Sequence, residues 1–336
     1  MCDRRAILDV LQSHTKLLSE FLPAHVEECA GTVRSPVHFL RHHVAQSTPL
    51  VVRADADVAR WPALARWSDQ GYLSEALRDA RVTVALTPDG LADAPASDES
   101  ALMLPAEATM AYPDFIDMLR RQNSTDGENS PVVYLQKQNN SFITEFSALA
   151  ADVGRVGWAD VAFGAANIDA INFWQGARPT KTSWHRDPYE NIYVVIRGSK
   201  RVRLLPMTDA WRMRIKTYPQ AKWAYKDGEF TAQPIAGEPV RWSSLRPCTC
   251  TGYPLKCPSC VHLDGHPPPK EVLLHAGDVL YIPAWVYHEI SHDETPNDTS
   301  CIAINFWYEA QYGQHGFSTI QTFDQLAQLC TPSTNT

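Results

Sequence analysis

From Pro131 onward the chain is a succession of short apolar runs, each closed by Gly, Pro or Asp, and this pattern leaves few folds open. The runs are Val132–Gln136, Ala170–Trp174, Ile192–Ile196, Arg201–Leu205, Val272–His275, Val279–Ile282 and Ile302–Trp307. Short strands separated by turn signals predict a sandwich, jelly roll or closed barrel. Asn-Phe-Trp occurs twice, at Asn172–Trp174 and Asn305–Trp307, each time after alternating apolar residues. Two such similar strands can neighbour one another in a closed sheet. Helices are expected around this core. Ile7, Leu8, Leu11, Leu18, Phe21 and Leu22 recur at helical spacing and predict an opening amphipathic helix that Pro23 ends. Further helices are expected at Pro36–Ala45, Tyr72–Ala80, Tyr112–Arg121 and Phe317–Leu329. Strands are expected at Pro49–Val52 and Val82–Leu86, the latter before the turn Thr87-Pro-Asp-Gly90. The polar stretch Gln122–Ser130 reads as an exposed loop. The fold class is therefore mainly β with flanking helices, built on an antiparallel barrel.

Composition narrows the function classes. With 336 residues, 44% hydrophobic and 20% charged, this is an ordinary globular composition, not a disordered chain, a collagen or a small disulfide scaffold. No apolar run approaches the ~20 residues of a membrane-spanning helix, so no membrane partner is expected. The net charge of −8 argues against direct nucleic-acid binding spread over the surface. Met1-Cys-Asp-Arg-Arg is followed by no uninterrupted apolar stretch and no small-residue cleavage site, which predicts a cytoplasmic or nuclear protein with reduced thiols.

The chemistry concentrates in Thr182-Ser-Trp-His185-Arg-Asp187-Pro-Tyr-Glu-Asn191. On a strand, residues i and i+2 share a face, so His185 and Asp187 can converge on one ion. His288 is the best third ligand. Two imidazoles and one carboxylate form the facial triad of non-haem Fe(II) oxygenases and leave coordination positions open for a co-substrate and O2. An isolated His-x-Asp is weak evidence, because it is far more often a strand histidine beside a loop aspartate. Lys200 adds to it. Strand parity places Lys200 with Val202 and Leu204, opposite Arg201 and Arg203. A lysine aimed into a barrel needs a negative partner, and a dicarboxylate whose other end chelates the metal would supply one. The plainer reading is a strand-edge lysine reaching to water.

Together, Thr182-x-x-His185-x-Asp187, Asn191, Lys200, Gly277-Asp278-x-Leu-Tyr-Ile-Pro-x-Trp-x-x-His288 and Asn305-Phe-Trp-Tyr308 resemble the jumonji-C (cupin-like) 2-oxoglutarate oxygenases. Upstream, Val82-Thr-Val-Ala-Leu-Thr-Pro-Asp-Gly90-Leu-Ala-Asp93 and Val133-Tyr134-Leu-Gln136-Lys137-Gln138 look like the peptidyl-lysine (3S)-hydroxylases of that family. The resemblance implies a double-stranded β-helix (jelly-roll) core with N-terminal and C-terminal helical additions. It divides the chain into a helical arm (1–34), an oxygenase domain (35–325, core motifs 131–310) and a tail (326–336). It implies Fe(II) on His185, Asp187 and His288, with 2-oxoglutarate and O2 as co-substrates. Tyr134, Thr182, Asn191, Lys200 and Asn305 would hold 2-oxoglutarate, and Thr182 and Tyr134 would share its distal carboxylate with Lys200.

The resemblance further implies a lysine in a protein substrate, namely a developmentally regulated GTP-binding protein, and a homodimer formed through terminal helices. The apolar stripe Phe317, Ile320, Phe323, Leu326 and Leu329 could join two subunits or pack within one. Asp89, Asp93 and Glu190 are candidates on sign alone for receiving a cationic side chain, and more often such residues are turn and surface positions. Trp174, Trp285 and Trp307 read as barrel packing, and Tyr193 as pocket wall or core. Two alternatives keep the same residues: an N-methyl-lysine or N-methyl-arginine demethylase with the same metal chemistry, and a catalytically silent cupin that binds a metal or a partner. A protease has less support, because no nucleophile–base pair stands out.

Cys248-x-Cys250-x6-Cys257-x2-Cys260, followed by His262 and His266, falls between the Lys200 and His288 segments as an insertion at about 244–270. Four thiolates so close together could hold a tetrahedral structural zinc, remain reduced thiols, or form disulfides.

Overall fold

The computed structural model describes residues 3–122, 130–246, 266–292 and 300–330. Its two large sheets face each other, and the remaining strands form a four-stranded and a two-stranded sheet. The larger has nine strands, ordered Glu27–Ala30, Leu50–Arg53, Val279–Ile282, Tyr189–Arg197, Cys301–Glu309, Ile168–Gly176, Val132–Leu135, Arg81–Thr87 and Ala106–Ala111. The smaller has five, ordered Lys270–His275, Ser199–Leu205, Tyr287–His292, Lys181–His185 and Leu91–Ala92. The two Asn-Phe-Trp segments are neighbours, with Asn172 directly opposite Asn305.

The middle strands of the larger sheet are buried on both faces, which is why they read as continuous apolar runs rather than alternating ones. On Tyr189–Arg197, Ile192, Val194 and Ile196 pack outward with Phe39, Trp67 and Tyr281 in the core under the N-terminal elements. Tyr193 and Val195 point the other way, into the barrel, with Val202, Leu204, Val272 and Leu274 of the facing sheet. At ~1.5–3 kcal/mol for each fully buried large apolar side chain, these two layers hold the sandwich in register. Phe39 is fully buried, with its ring against Trp158, Phe163 and Tyr281.

The outer face of the smaller sheet is covered by the helix Gln314–Cys330, whose Ala327 packs with Trp184, Leu205, Met213 and Tyr287. This helix starts earlier than the apolar pattern suggests and runs through the expected 325/326 boundary. The opening helix Arg4–Phe21, capped by the Asp3 carboxylate on the Arg5 N–H, lies against it through His14 and Phe323, with ring centroids 4.9 Å apart. Part of the terminal apolar stripe is thus covered within the chain. Ile320 is buried, while Phe317 and Leu329 are 55% and 49% exposed. Among the described residues, no helix is long and apolar enough to cross a membrane.

Several expectations are corrected. The strands expected at Pro49–Val52 and Val82–Leu86 are present as Leu50–Arg53 and Arg81–Thr87, but the strand Ala106–Ala111, which extends the larger sheet, was not expected. Nor is pairing wholly antiparallel: Glu27–Ala30 runs parallel to Leu50–Arg53, and Leu91–Ala92 parallel to Lys181–His185. These short strands carry little periodicity of their own and are recruited by the edges they complete. The helix expected at Pro36–Ala45 is α-helical only over Pro36–Phe39 and widens to π geometry over Leu40–Val44. The helix expected at Tyr72–Ala80 occupies Gln70–Ala76. The cysteine run Cys248, Cys250, Cys257 and Cys260, with His262, lies outside the described residues.

The terminal helix also reaches the metal-motif segment. Arg186 sits between the rings of Trp285 and Tyr287, 4.9 and 5.0 Å from their centroids, and its guanidinium pairs with Asp324. Both partners are mostly buried. Asp324→Ala leaves that cation uncompensated and is expected to cost about 3 kcal/mol in chemical denaturation, with Asp324→Asn costing less.

Candidate active site

The strand Lys181–His185 pairs with Tyr287–His292 through a bulge. Thr182 faces Ile290 and His185 faces His288, so three steps on one strand match two on the other. The extra residue lets Thr182 and His185, of opposite parity, line the same cleft. Asp187 is not on the strand at all. The strand ends at His185, and Asp187 occupies the corner before Pro188, where its backbone carbonyl accepts the Trp285 N–H at 2.8 Å. The i, i+2 argument is therefore corrected: a corner, not strand parity, brings the carboxylate to the imidazoles.

The ligating atoms of His185, Asp187 and His288 lie within 4.8 Å of one another. Asp187 Oδ2 is 3.7 Å from His185 Nε2 and 3.5 Å from His288 Nε2. Each imidazole is fixed from behind, His185 Nδ1 on the Ser183 carbonyl at 2.7 Å and His288 Nδ1 on the Val286 carbonyl at 3.0 Å. A proton on Nδ1 satisfies each bond and leaves an Nε2 lone pair toward the shared point, the tautomer that metal ligation needs. Burial, reinforced by His288, pushes the His185 imidazole down to about 4, so it is neutral at pH 7. Burial alone would raise the Asp187 carboxyl, but the electrostatic influence of His185 and His288 beside it holds it below the usual carboxylate range. Among the described residues this is the cluster able to hold a metal.

A narrow cleft with about 340 Å³ of empty volume, its mouth included, opens at the triad and is walled by Tyr134, Thr182, Asn191, Tyr193, Ile290 and Asn305 together with Gln138, Trp174 and Trp307. Trp174 and Trp307 are buried, as expected of barrel packing, and also wall the cleft. Trp174 Nε1 donates to Asn305 Oδ1 at 2.8 Å, and Asn305 Nδ2 donates to Asn191 Oδ1 at 3.1 Å. Among the described residues the buried Trp307 Nε1 has no hydrogen-bond partner. Trp285, by contrast, is only half-buried and holds a left-handed backbone (φ +65°) beside Asp187.

Lys200 lies behind the cleft, 1% exposed. Its Nζ donates to Tyr134 Oη at 3.2 Å and to His292 Nε2 at 2.9 Å, and neither partner is an anion. Burial pulls the ammonium down to about 8 and pushes His292, which also feels Lys200, well below its ordinary value. Tyr134 can lie here because Gly176 is opposite it: a Cβ on Gly176 would come within 2.5 Å of the Tyr134 ring.

His292 and Gln138 were not singled out from the sequence. His292 was within reach of the same parity that placed Lys200, being two alternations along the strand from His288. Gln138 lies three residues beyond Leu135, the last of its strand, where parity no longer applies. Of the acids named on sign, Glu190 is corrected. It is buried on the opposite face of its strand, accepting from Tyr281 Oη at 2.7 Å and the Ala284 N–H at 3.2 Å. Asp89 is exposed and paired with Arg246 at 2.8 Å, away from both cavities at the triad. Asp93 lines a second, wider cavity over the triad.

The cupin-like domain family matches residues 36–314. The chain belongs to that family. A lysine-specific demethylase of Arabidopsis thaliana, JMJ32, is 39% identical over 83% of this chain and 80% of its own length. The human bifunctional peptidase and (3S)-lysyl hydroxylase JMJD7 is 32% identical over 88% of this chain and 87% of its own. JmjC domain-containing protein E of Dictyostelium discoideum is 31% identical over 82% of each. This chain is a jumonji-C oxygenase of the cupin-like family, and membership implies Fe(II) and 2-oxoglutarate.

The residues present fit both groups. Three converging donors, two imidazole nitrogens and a carboxylate oxygen, suit a divalent ion and leave half of an octahedron free. A buried ammonium with no anionic partner suits a carboxylate. Asp187→Ala is expected to weaken Co(II) binding, used as an air-stable probe, at least a hundredfold by calorimetry, with the fold retained by circular dichroism.

Proposed function

We propose that the chain is an Fe(II)- and 2-oxoglutarate-dependent dioxygenase that hydroxylates a lysine side chain of a protein. The observation that carries the co-substrate is Lys200, a buried cation whose two hydrogen-bond partners are uncharged, set behind a cleft that ends at a His-Asp-His cluster. The lysyl reading is supported by the human relative, covered along 87% of its length.

When bound, iron and 2-oxoglutarate supply, with O2, the oxidising power to hydroxylate an unactivated C–H bond, releasing succinate and CO2. The chain binds, orients and shields. An ammonium has three donors. Lys200 spends two on Tyr134 and His292 and keeps one for a carboxylate. The Tyr134 hydroxyl accepts from Lys200 and so keeps its own proton to donate to the same carboxylate, and Thr182 adds a second hydroxyl in the cleft wall. Asn305 is held at both ends of its amide by Trp174 and Asn191, which fixes the cleft wall they share. Trp174, Tyr193, Ile290 and Trp307 limit water in the cleft and raise the strength of each polar contact there.

The relative titled a lysine-specific demethylase favours a second reading, in which hydroxylation of an N-methyl group releases formaldehyde. Both readings are tested by conversion of 2-oxoglutarate to succinate with Fe(II) under air, with mass spectrometry of candidate substrates, a developmentally regulated GTP-binding protein first. A one-oxygen gain on lysine supports hydroxylation, and methyl loss with formaldehyde supports demethylation. Succinate formation no greater than in His185→Ala overturns both.

The pH dependence follows from Lys200. Its ammonium persists below about 8 and is lost as pH rises through that value. The 2-oxoglutarate dissociation constant is therefore expected to be flat from pH 6.5 to 7.5 and to weaken above pH 8 by up to about tenfold per unit. A constant affinity to pH 9.5 would separate Lys200 from co-substrate binding.

A further inference from the structure

Over the triad opens a vestibule with about 1060 Å³ of empty volume, its mouth included, walled in part by Asp93, Glu107, Ala85, Pro105, Gln138 and Trp242. Its charged groups are nearly all spoken for. Glu107 accepts from Lys137 at 2.7 Å and Lys222 at 3.1 Å, Arg186 pairs with Asp324, and Asp187 belongs to the metal cluster. The Asp93 carboxylate is different: among the described residues no hydrogen bond or ion pair to it is formed. Its backbone does the anchoring, with the carbonyl accepting Ser183 Oγ at 2.6 Å and φ at +53°. That left-handed geometry costs about 1 kcal/mol for a non-glycine residue and is held by the strand contact. Burial, with repulsion from Glu107, lifts the Asp93 carboxyl to about 6, so at neutral pH it is an anion in a poor solvent with no counter-charge.

Its position along the sheet sets a length. Ala92 is opposite Thr182 in parallel register, so Asp93 follows opposite Ser183, two residues before His185. Two residues of a regular strand would span about 7 Å, and the bulge between Thr182 and His185 makes this separation shorter. A lysine side chain spans about 5 Å from Cβ to Nζ, four bonds of ~1.5 Å each in zigzag. A carbon near the backbone of a lysine can thus stand at the metal while the ammonium reaches Asp93. An N-methyl carbon cannot: it is one bond from its nitrogen, and placing it at the metal draws the cation away from the unpaired acid.

We infer that Asp93 is the specificity-determining residue that receives the ammonium of an unmethylated lysine in a peptide, presenting a carbon near that lysine's backbone to the metal. This deepens the hydroxylase reading and rests on it. Trp242, ring-stacked at 7° to His185 with centroids 6.3 Å apart, gives the methylene stem an apolar wall.

The test is binding, which requires neither turnover nor O2. Nα-acetyl-lysine N-methylamide and its uncharged deamino analogue Nα-acetyl-norleucine N-methylamide are titrated against the full chain by ligand-observed NMR. The lysine amide is expected to bind wild type at least tenfold more tightly, and that ratio is expected to fall below threefold in Asp93→Asn. Glu107→Gln, whose acid is already held by two lysines, keeps the ratio and checks that a changed vestibule charge alone is not responsible. Nζ-dimethylation of the lysine probe is expected to weaken binding by removing two of three donors. The inference is overturned if wild type does not discriminate, if Asp93→Asn still does, or if Glu107→Gln alone abolishes discrimination. Discrimination without 2-oxoglutarate turnover would leave Asp93 standing and sink the dioxygenase reading; turnover without discrimination would do the reverse.

Discussion

Burying an ammonium costs several kcal/mol unless its donors are met, and Lys200 is buried where the two sheets face each other with a phenol and an imidazole as its partners. Neither can neutralise it. The surroundings are arranged to tolerate this charge rather than to cancel it. His292 stays neutral because burial and Lys200 both oppose its protonation, and a neutral imidazole can turn a lone pair to the ammonium. Tyr134 is brought close by a glycine that offers no Cβ to its ring. Val202 and Leu204 on the same strand face supply the apolar ground. The result is a positive site that is half satisfied when empty, the condition under which a carboxylate gains most from arriving.

That arrangement depends on rigid strands, and the rigidity has a visible origin. The central strands of the larger sheet carry apolar side chains on both faces, one set against the N-terminal elements and one against the smaller sheet. Moving Tyr193 or Asn191 would require shifting Ile192 and Val194 in a packed core. Asn172 opposite Asn305 marks the middle of this frame, and the Asn305 amide extends it to the cleft through Trp174 and Asn191. The helices before Pro131 thus matter to the site without touching it.

How much of this was legible follows from the same physics. Parity on Ser199–Leu205 put Lys200 inside, because that strand is regular and its Lys200, Val202 and Leu204 are buried while Arg201 and Arg203 are half-buried. The paired Asn-Phe-Trp strands were legible because both are long and apolar. The surroundings of the metal cluster were less so. A bulge breaks alternation between Thr182 and His185, and Asp187 lies on a corner where no period applies. Glu190 looked like a pocket acid because charge is easy to count, whereas the face of its strand was decided by a buried tyrosine on the neighbouring strand. Edge strands such as Leu91–Ala92 are two residues long and exist only through their partners. Sequence patterns report the interior of long elements well, and ends, bulges and corners poorly.

Ends and corners are where the chemistry gathers, and the fold compensates with backbone contacts. Both imidazoles are oriented by main-chain carbonyls two residues upstream, and the Asp187 corner is tied by its own carbonyl to the Trp285 N–H. Backbone partners cannot be lost by changing a side chain, so the cluster is insulated from most of its neighbours. The exception is Arg186, which lies between His185 and Asp187 and is held by Asp324 from the terminal helix. Because Arg186 also stacks between Trp285 and Tyr287, displacement of that helix would act on both halves of the cluster at once: on the corner through Arg186, and on the His288 strand through Tyr287. The helix is therefore more than a cover for the smaller sheet. It is the route by which a change at the far end of the chain reaches the metal ligands.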